Sequence, residues 1–258
     1  MSGRENNNWT REEHIMAFNL YCQIPFGRIH MGNPRIIELA RLIGRSVGSV
    51  SYKLSNFARL DPALRARGIQ GSPHGAKGEE EIWNEFAAHP EALAYESERL
   101  LAQRLGKPIE EVADIDTKDL PAAGIEREAT VRVRVNQSFF RRRIISAYEF
   151  RCCVTGLAMR ELLVASHIVP WAQDAPNRLN PRNGLCLNAL HDRAFDRGLM
   201  WVEDGFTIRF SKRLSAETKK PDATLAWLTS FEGQTLRLPK RFSPDPELLR
   251  RHAKQSTN

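Results

Sequence analysis

The sequence predicts an α+β protein in which an all-helical N-terminal domain precedes a C-terminal domain of short strands and helices. Through the first part of the chain, apolar residues recur at helical spacing between capping signals. Beyond residue 131, short apolar runs alternate with turn signals instead. We therefore place a helical domain at residues 1–105, a linker at 106–130 and a second domain at 131–258. A length of 258 residues suits two domains of roughly 150 residues or less.

The composition indicates a soluble protein with an anionic partner. The formal net charge is +7, which favours nucleic acid, and a generally solvated basic surface is the alternative explanation. The N-terminus is polar and no apolar run approaches the ~20 residues that span a bilayer, so we expect an unexported, cytoplasmic protein. The four cysteines form no CxxC pair, which indicates reduced, buried thiols and neither a disulfide scaffold nor a four-thiolate zinc site.

Capping signals define the first three helices. Thr10 and Glu13 match a capping box, in which the hydroxyl and the carboxylate each accept from the other residue's backbone N–H. Asn33 followed by proline then begins a second helix, which ends at Gly44. A third helix follows to about Leu60.

The second and third helices resemble a helix-turn-helix unit. Ala40, Gly44 and Val50 occupy the small, turn and inward-facing positions of that motif, whereas Arg45 stands where an apolar turn residue is usual. Such a unit reads DNA with the start of its second helix, although two packed amphipathic helices are also common without that role. The DNA contacts expected at the start of that helix are Ser46, Ser49, Tyr52 and Lys53, and the earlier turn of Arg28 to His30 adds Arg28 and His30 as further candidates.

A glycine-rich segment follows between Gly68 and Gly78. It is either a mobile surface connection or a loop whose exposed N–H groups approach phosphate closely. On the second interpretation, its DNA-contacting residues are Ser72, Pro73, His74 and Lys77.

The C-terminal domain begins with an alternating segment. Val131, Val133 and Val135 alternate with polar residues, which predicts an extended edge with a basic outer face. The helix expected next carries Arg141 and Arg142, which are either solvated or set against phosphates. The remaining elements predicted are a strand over 162–168, a helix over 188–195 and a hairpin of 200–202 with 207–210.

Three polar residues stand out in the order strand, loop and helix. His167 ends the apolar strand, Asn183 lies in a loop and His191 opens a helix. A histidine titrates near ~6.5, so a neutral imidazole can take a proton from water at neutral pH. Each residue taken alone is explained as well by a satisfied core histidine or a loop-capping asparagine.

The region from about Val135 onward resembles the HNH, or ββα-metal, endonucleases associated with restriction. The resemblance implies a hairpin and a helix around one divalent metal that holds the scissile phosphate. It gives His167 the role of base, Asn183 that of orienting the loop and His191 that of metal ligand. The motifs that carry it are Asn136–Phe140, Cys153–Gly156, Ala165–Trp171, Asn183–Leu185 and His191–Gly198.

The metal ligation departs from the resembled pattern at one position. Ser166 stands where many such enzymes have Asp or His, and a hydroxyl is a poor ligand. Asp196 is a further candidate ligand, and Asp192 is nearby, although either carboxylate could instead cap or salt-bridge the helix. Oxygen-rich ligation favours Mg²⁺ or Mn²⁺, and one imidazole also tolerates Ni²⁺ or Zn²⁺.

For the whole chain the resemblance implies a restriction-type enzyme that cuts double-stranded DNA. Related nucleases often couple the HNH domain to a module that senses methylated or phosphorothioate DNA, and the helical domain here is more similar to the sulfur-sensing type. A homodimer, at least on DNA, is expected because one site cuts one strand. The alternative is a DNA-binding regulator whose HNH-like fold is a non-catalytic platform.

Overall fold

The computed structural model describes residues 8–69, 77–216 and 222–257. The chain mixes helices with small sheets, and it divides into two compact units, Met1–Phe139 and Phe140–Asn258. The domain limits expected from the sequence, at residues 105 and 130, stay predictions because compactness does not show which segments fold alone. In the parts of the chain described, no helix combines the length and apolar character needed to cross a membrane.

The first unit is helical and is built around its first helix. Helix α1 is buried along almost its whole length and packs against α2, α3, α5 and α6. The helices are α1 Arg11–Gln23, α2 Pro34–Ile43, α3 Val47–Leu60, α4 Pro62–Arg65, α5 Lys77–Phe86, α6 Pro90–Leu105, α7 Ile109–Val112 and α8 Ile125–Ala147, the last of which continues into the second unit.

Local capping chemistry sets the helix boundaries as predicted. The Thr10 hydroxyl accepts from the Glu13 backbone N–H at 3.2 Å, and the Thr10 N–H donates to the Glu13 carboxylate at 3.0 Å. Gly44 ends α2 in the left-handed conformation, with φ at 69°, where glycine carries no steric penalty. The Ser46 hydroxyl then caps α3 by accepting from the Ser49 N–H.

The extended segment predicted at residues 131–135 is wrong, since these residues lie in the middle of α8. Val131, Val135 and Phe139 are buried on one helix face, whereas Val133 is exposed. Spacings of two and four residues coincide at the first two of these positions, so the alternation seen in the sequence also fits a helix with an i, i+4 apolar stripe.

The second unit holds two antiparallel hairpins and the helices packed on them. Strands β1 and β2 pair with Ser166 opposite Leu185, α9 covers both strands, and α12 packs on β3. The predicted strand, helix and second hairpin are confirmed, and all four cysteines are free and buried as expected. The elements are β1 Leu163–His167, β2 Gly184–Asn188, α9 Ala189–Asp196, β3 Met200–Glu203, β4 Thr207–Phe210, α10 Arg213–Ala216, α11 Ala223–Thr229 and α12 Pro246–Thr257.

Candidate functional site

His167 ends β1, and its ring is held from two directions. The ring stacks on Phe140 with centroids 3.8 Å apart, and Trp171 meets it edge-on at 5.7 Å. Its Nε2 lies 2.9 Å from the Arg178 carbonyl oxygen. A carbonyl only accepts, so Nε2 carries the hydrogen and Nδ1 keeps its lone pair. Burial lowers the pKa of His167, and the imidazole is therefore neutral at neutral pH.

Asn183 fixes the chain that follows His167. Its side chain is fully buried, and its Oδ1 accepts from the Val169 N–H at 2.8 Å. Its Nδ2 donates to the carbonyl oxygens of Val169 and Asn177, at 3.1 and 3.0 Å. The Asn183 amide thus ties the segment after His167 to the loop that leads into β2.

A cavity of about 240 Å³ brings His167 together with Asp196 of α9. Its opposite wall comes from α12, which contributes His252, Gln255 and Ser256. The His252 ring stacks on Phe195 at 3.7 Å and its Nε2 lies 3.1 Å from the Phe195 carbonyl oxygen. Sequence reasoning missed this wall, because His252 occupies an ordinary inward position of an amphipathic helix and no local pattern distinguishes it.

Two carboxylates on one face of α9 form an acidic group beside β1. Asp192 and Asp196 are one helical turn apart, and no ion pair within 4 Å neutralises either of them in the described structure. Partial burial raises the pKa of both carboxyls, and the charge of Asp196 raises that of Asp192 further. The buried Ser166 hydroxyl lowers the pKa of Asp192, yet it makes no hydrogen bond of normal geometry.

His191 lies apart from that cavity, in an aromatic enclosure. The rings of Trp227 and Phe231 approach its ring edge-on at 5.4 and 5.3 Å, and its Nδ1 lies within 3.1 Å of the Asn188 side-chain amide. Its Nε2 is buried without a hydrogen-bond partner, and burial lowers the pKa of His191 to about 4. His191 is therefore neutral, and in this structure its ring is held among the residues of α11.

The donor atoms around α9 suit a hard divalent cation. Carboxylate oxygens and the hydroxyl oxygen of Ser166 belong to the oxygen ligands that such a cation prefers. Within the described ranges, no three His, Cys, Asp or Glu side chains gather closely enough to enclose a metal ion.

Among the expected DNA contacts of the first unit that the structure describes, most are exposed, but Lys53 is not. Arg28, His30, Ser46, Tyr52 and Lys77 are exposed. Ser49 is half-buried and accepts from the Trp9 indole N–H at 3.3 Å. The Lys53 ammonium is buried against the Glu79 carboxylate, so its charge is not presented to solvent. Ser72, Pro73 and His74 lie outside the described residues.

The two arginines expected to face phosphates differ in exposure. Arg141 is exposed on α8, whereas Arg142 is half-buried and has other interactions of its own. Arg141 is therefore the more accessible cation of the two.

Residues 152–203 match the family model described as HNH endonuclease. That stretch runs from Cys152 to Glu203 and contains β1, β2, α9 and β3, and hence His167, Asn183 and the acidic face of α9. It leaves out the first unit and the α12 wall of the cavity. No curated protein matches the chain.

Proposed function

We propose that this chain is a metal-dependent DNA endonuclease that hydrolyses phosphodiester bonds with His167 as the general base. The observation that carries the proposal is a cavity lined by a neutral His167 and by Asp196, two residues of the segment that matches HNH endonucleases.

His167 is prepared for proton transfer by its own contacts. Because Nε2 donates to the Arg178 carbonyl, Nδ1 is the atom that takes a proton from a water molecule. That water oxygen forms a bond to phosphorus while the bond to the leaving deoxyribose oxygen breaks, and the leaving oxygen takes a proton from solvent water. The stacked Phe140 ring and the Asn183 amide hold the imidazole and the following loop in place during the transfer.

We propose that a divalent cation is held by Asp192 and Asp196, together with the Ser166 hydroxyl, which lies between α9 and β1. A bound cation, Mg²⁺ or Mn²⁺ by the preference of these oxygens and Ni²⁺ or Zn²⁺ as alternatives, would stabilise negative charge on the phosphate oxygens. The role of His191 as a ligand rests on its unpaired Nε2 and requires that atom to be turned toward the carboxylates.

We further propose that the first unit locates the DNA and that the enzyme restricts modified DNA. The α2–Gly44–α3 unit presents Ser46 and Tyr52 on an exposed surface, in keeping with a helix-turn-helix reader. For a phosphorothioate, whose sulfur is less hydrated than oxygen, the turn from Arg28 to His30 supplies an exposed basic edge. Double-strand cutting by a single-metal site favours a homodimer on the DNA.

Plasmid cleavage tests the proposal directly. Unmodified, methylated and phosphorothioate plasmids are incubated with the protein in Mg²⁺, in Mn²⁺ and in a chelator. We expect linear or nicked products only with metal, and none from His167→Gln, whose amide still donates to the Arg178 carbonyl but cannot take a proton. Metal-independent binding to all three plasmids without cleavage would instead favour the alternative, a DNA-binding regulator with a non-catalytic platform.

A further inference from the structure

Two guanidinium groups converge on Gly156, outside the cavity that contains His167. Arg151 donates to the Gly156 carbonyl oxygen at 3.3 Å. Arg237 covers the other side of the glycine, so that a Cβ at Gly156 would lie only 2.5 Å from its Nη1. Gly156 also has a positive φ of 76°, and both its conformation and this close approach therefore require glycine.

The backbone holds this arrangement in place. The Arg237 N–H donates to the Cys153 carbonyl at 2.9 Å, and the Gly156 N–H donates to the Cys152 carbonyl at 2.9 Å. Arg151 therefore directly precedes a turn that contains two buried cysteines, and Arg237 lies in a separate segment that hydrogen-bonds to the same turn.

The two arginines lack the carboxylates that neutralise other arginines of this unit. Arg209 pairs with Glu203 and Glu232, and Arg250 pairs with Asp204 and Glu247. Among the described residues, neither Arg151 nor Arg237 has a carboxylate within 4 Å. Both residues are exposed, so solvent screens their mutual repulsion, and an anion bound by both side chains would meet two positive charges.

The same arginines line a surface cavity of about 140 Å³. Lys240 and Glu149 also line it and pair with each other at 2.7 Å, so the uncompensated charge of the cavity is that of the two guanidiniums. Guanidinium N–H groups are the donors that bind phosphate oxygens most specifically in proteins.

We propose that Arg151 and Arg237 form a phosphate-binding site on the second unit. Resting on the proposed function, its ligand is a backbone phosphate of the DNA substrate, distinct from the phosphate that is cleaved. The contact carries no sequence information and serves to fix the register of the duplex on the nuclease unit.

Binding at varied salt tests the site in the full chain, with His167→Gln as the parent to prevent cleavage. Fluorescence anisotropy with a labelled duplex gives Kd at about 50 and about 200 mM KCl, where each phosphate contact contributes roughly a 3.5-fold rise in Kd. We expect Arg151→Gln and Arg237→Gln each to raise Kd. Each should also make the rise in Kd between the two salt concentrations smaller by about one factor of 3.5. The matched control Arg250→Gln, whose native side chain is already neutralised, should leave both quantities unchanged. A parallel thermal-unfolding titration with inorganic phosphate reports on the site without DNA.

The outcomes separate this site from the proposed function. If the parent binds DNA and both variants keep its Kd and salt dependence, the site is refuted while the nuclease proposal stands. If the parent binds no DNA, but phosphate raises its Tm and not that of Arg237→Gln, the site is a free-phosphate site and the DNA substrate is refuted. Failure of both titrations refutes both. Circular dichroism melting of each variant confirms that it is folded.

Discussion

A buried carboxylate of the first unit and two carboxylates on α9 of the second unit differ in whether a cation accompanies them. In the first unit, the fully buried Glu79 carboxylate is met by the Lys53 ammonium and by the Asn56 amide at 3.1 Å, while the Trp9 ring covers the ammonium at 4.9 Å. In the second unit, Asp192 and Asp196 on α9 have no cation within 4 Å in the described ranges, and the pKa values of both carboxyls are raised.

This contrast separates a structural role from a functional one. A compensated buried carboxylate belongs to the folded state, since removal of one partner leaves the other charge buried. Carboxylates without such compensation destabilise the fold slightly, and the role that we propose for these two is to bind a metal ion. Substitution of Glu79 or Lys53 should therefore lower the free energy of unfolding without a specific change in activity. Substitution of Asp192 or Asp196 should lower activity and leave the free energy of unfolding almost unchanged.

The largest effect is expected for His167→Gln, on activity. Loss of the proton acceptor should lower the cleavage rate by about 10²- to 10⁴-fold, the usual contribution of general base catalysis. Quantified plasmid cleavage checks this, with the exposed His89→Gln as the matched control. A rate within threefold of the unsubstituted protein, in a variant that melts normally, would take His167 out of the mechanism.

Glu79→Gln should have the largest effect on stability. The Lys53 ammonium would remain buried without its counter-charge, which costs about 3–5 kcal/mol in the free energy of unfolding. Urea unfolding measures the change, and Glu85→Gln, which removes an exposed pair with Arg11, should lower stability by about 1 kcal/mol or less. Equal effects of the two substitutions would show that the buried pair of Glu79 with Lys53 stabilises the fold no more than the exposed pair of Glu85 with Arg11.

Stability of the second unit should fall with acid because of His252. Burial lowers the pKa of His252 to about 4, below its ordinary value of 6.5, so the unfolded chain binds more protons between these two values. The contribution of His252 to the free energy of unfolding is complete above its pKa in the unfolded chain. It is lost as pH falls toward its pKa in the folded protein, by about 2 kcal/mol between roughly pH 7.5 and pH 5. In His252→Phe, which keeps the ring stacked on Phe195, the acid-induced loss of unfolding free energy should be smaller by that amount. An unchanged pH dependence in urea melts would argue against this pKa.

The smallest change in stability is expected for Asp192→Asn, and with the opposite sign to that of Glu79→Gln. Relief of repulsion from Asp196 should raise the free energy of unfolding slightly, by about 1 kcal/mol at most. Cleavage should fall at least tenfold, with the Mn²⁺ midpoint moved to higher concentration, whereas the exposed Asp119→Asn changes neither. If the variant is destabilised and its Mn²⁺ midpoint is unchanged, Asp192 stabilises the fold and does not bind the metal.

Features that depend on nearby residues in the chain could be predicted from the sequence, whereas features that depend on packing and on side-chain direction could not. The capping box at Thr10 and the glycine that ends α2 depend on neighbours in the chain, so both could be identified in advance. The alternation at Val131 and Val135 fits two periodicities, and only packing selects the helix. His191 and Asp192 are adjacent, hence about 100° apart around α9, and the backbone alone determines which of them lies near Ser166.

The α12 wall of the cavity has a consequence for the order of events during synthesis. His167 and Asp196 leave the ribosome well before His252, and at about 5–20 residues per second the interval between Asp196 and His252 is about 3 to 11 seconds. Until α12 has emerged, the cavity lacks one side and Phe195 lacks the ring stacked on it. On the function proposed above, His167 and Asp196 are exposed in a nascent chain before the cavity is closed, so we expect no cleavage until this helix has been made.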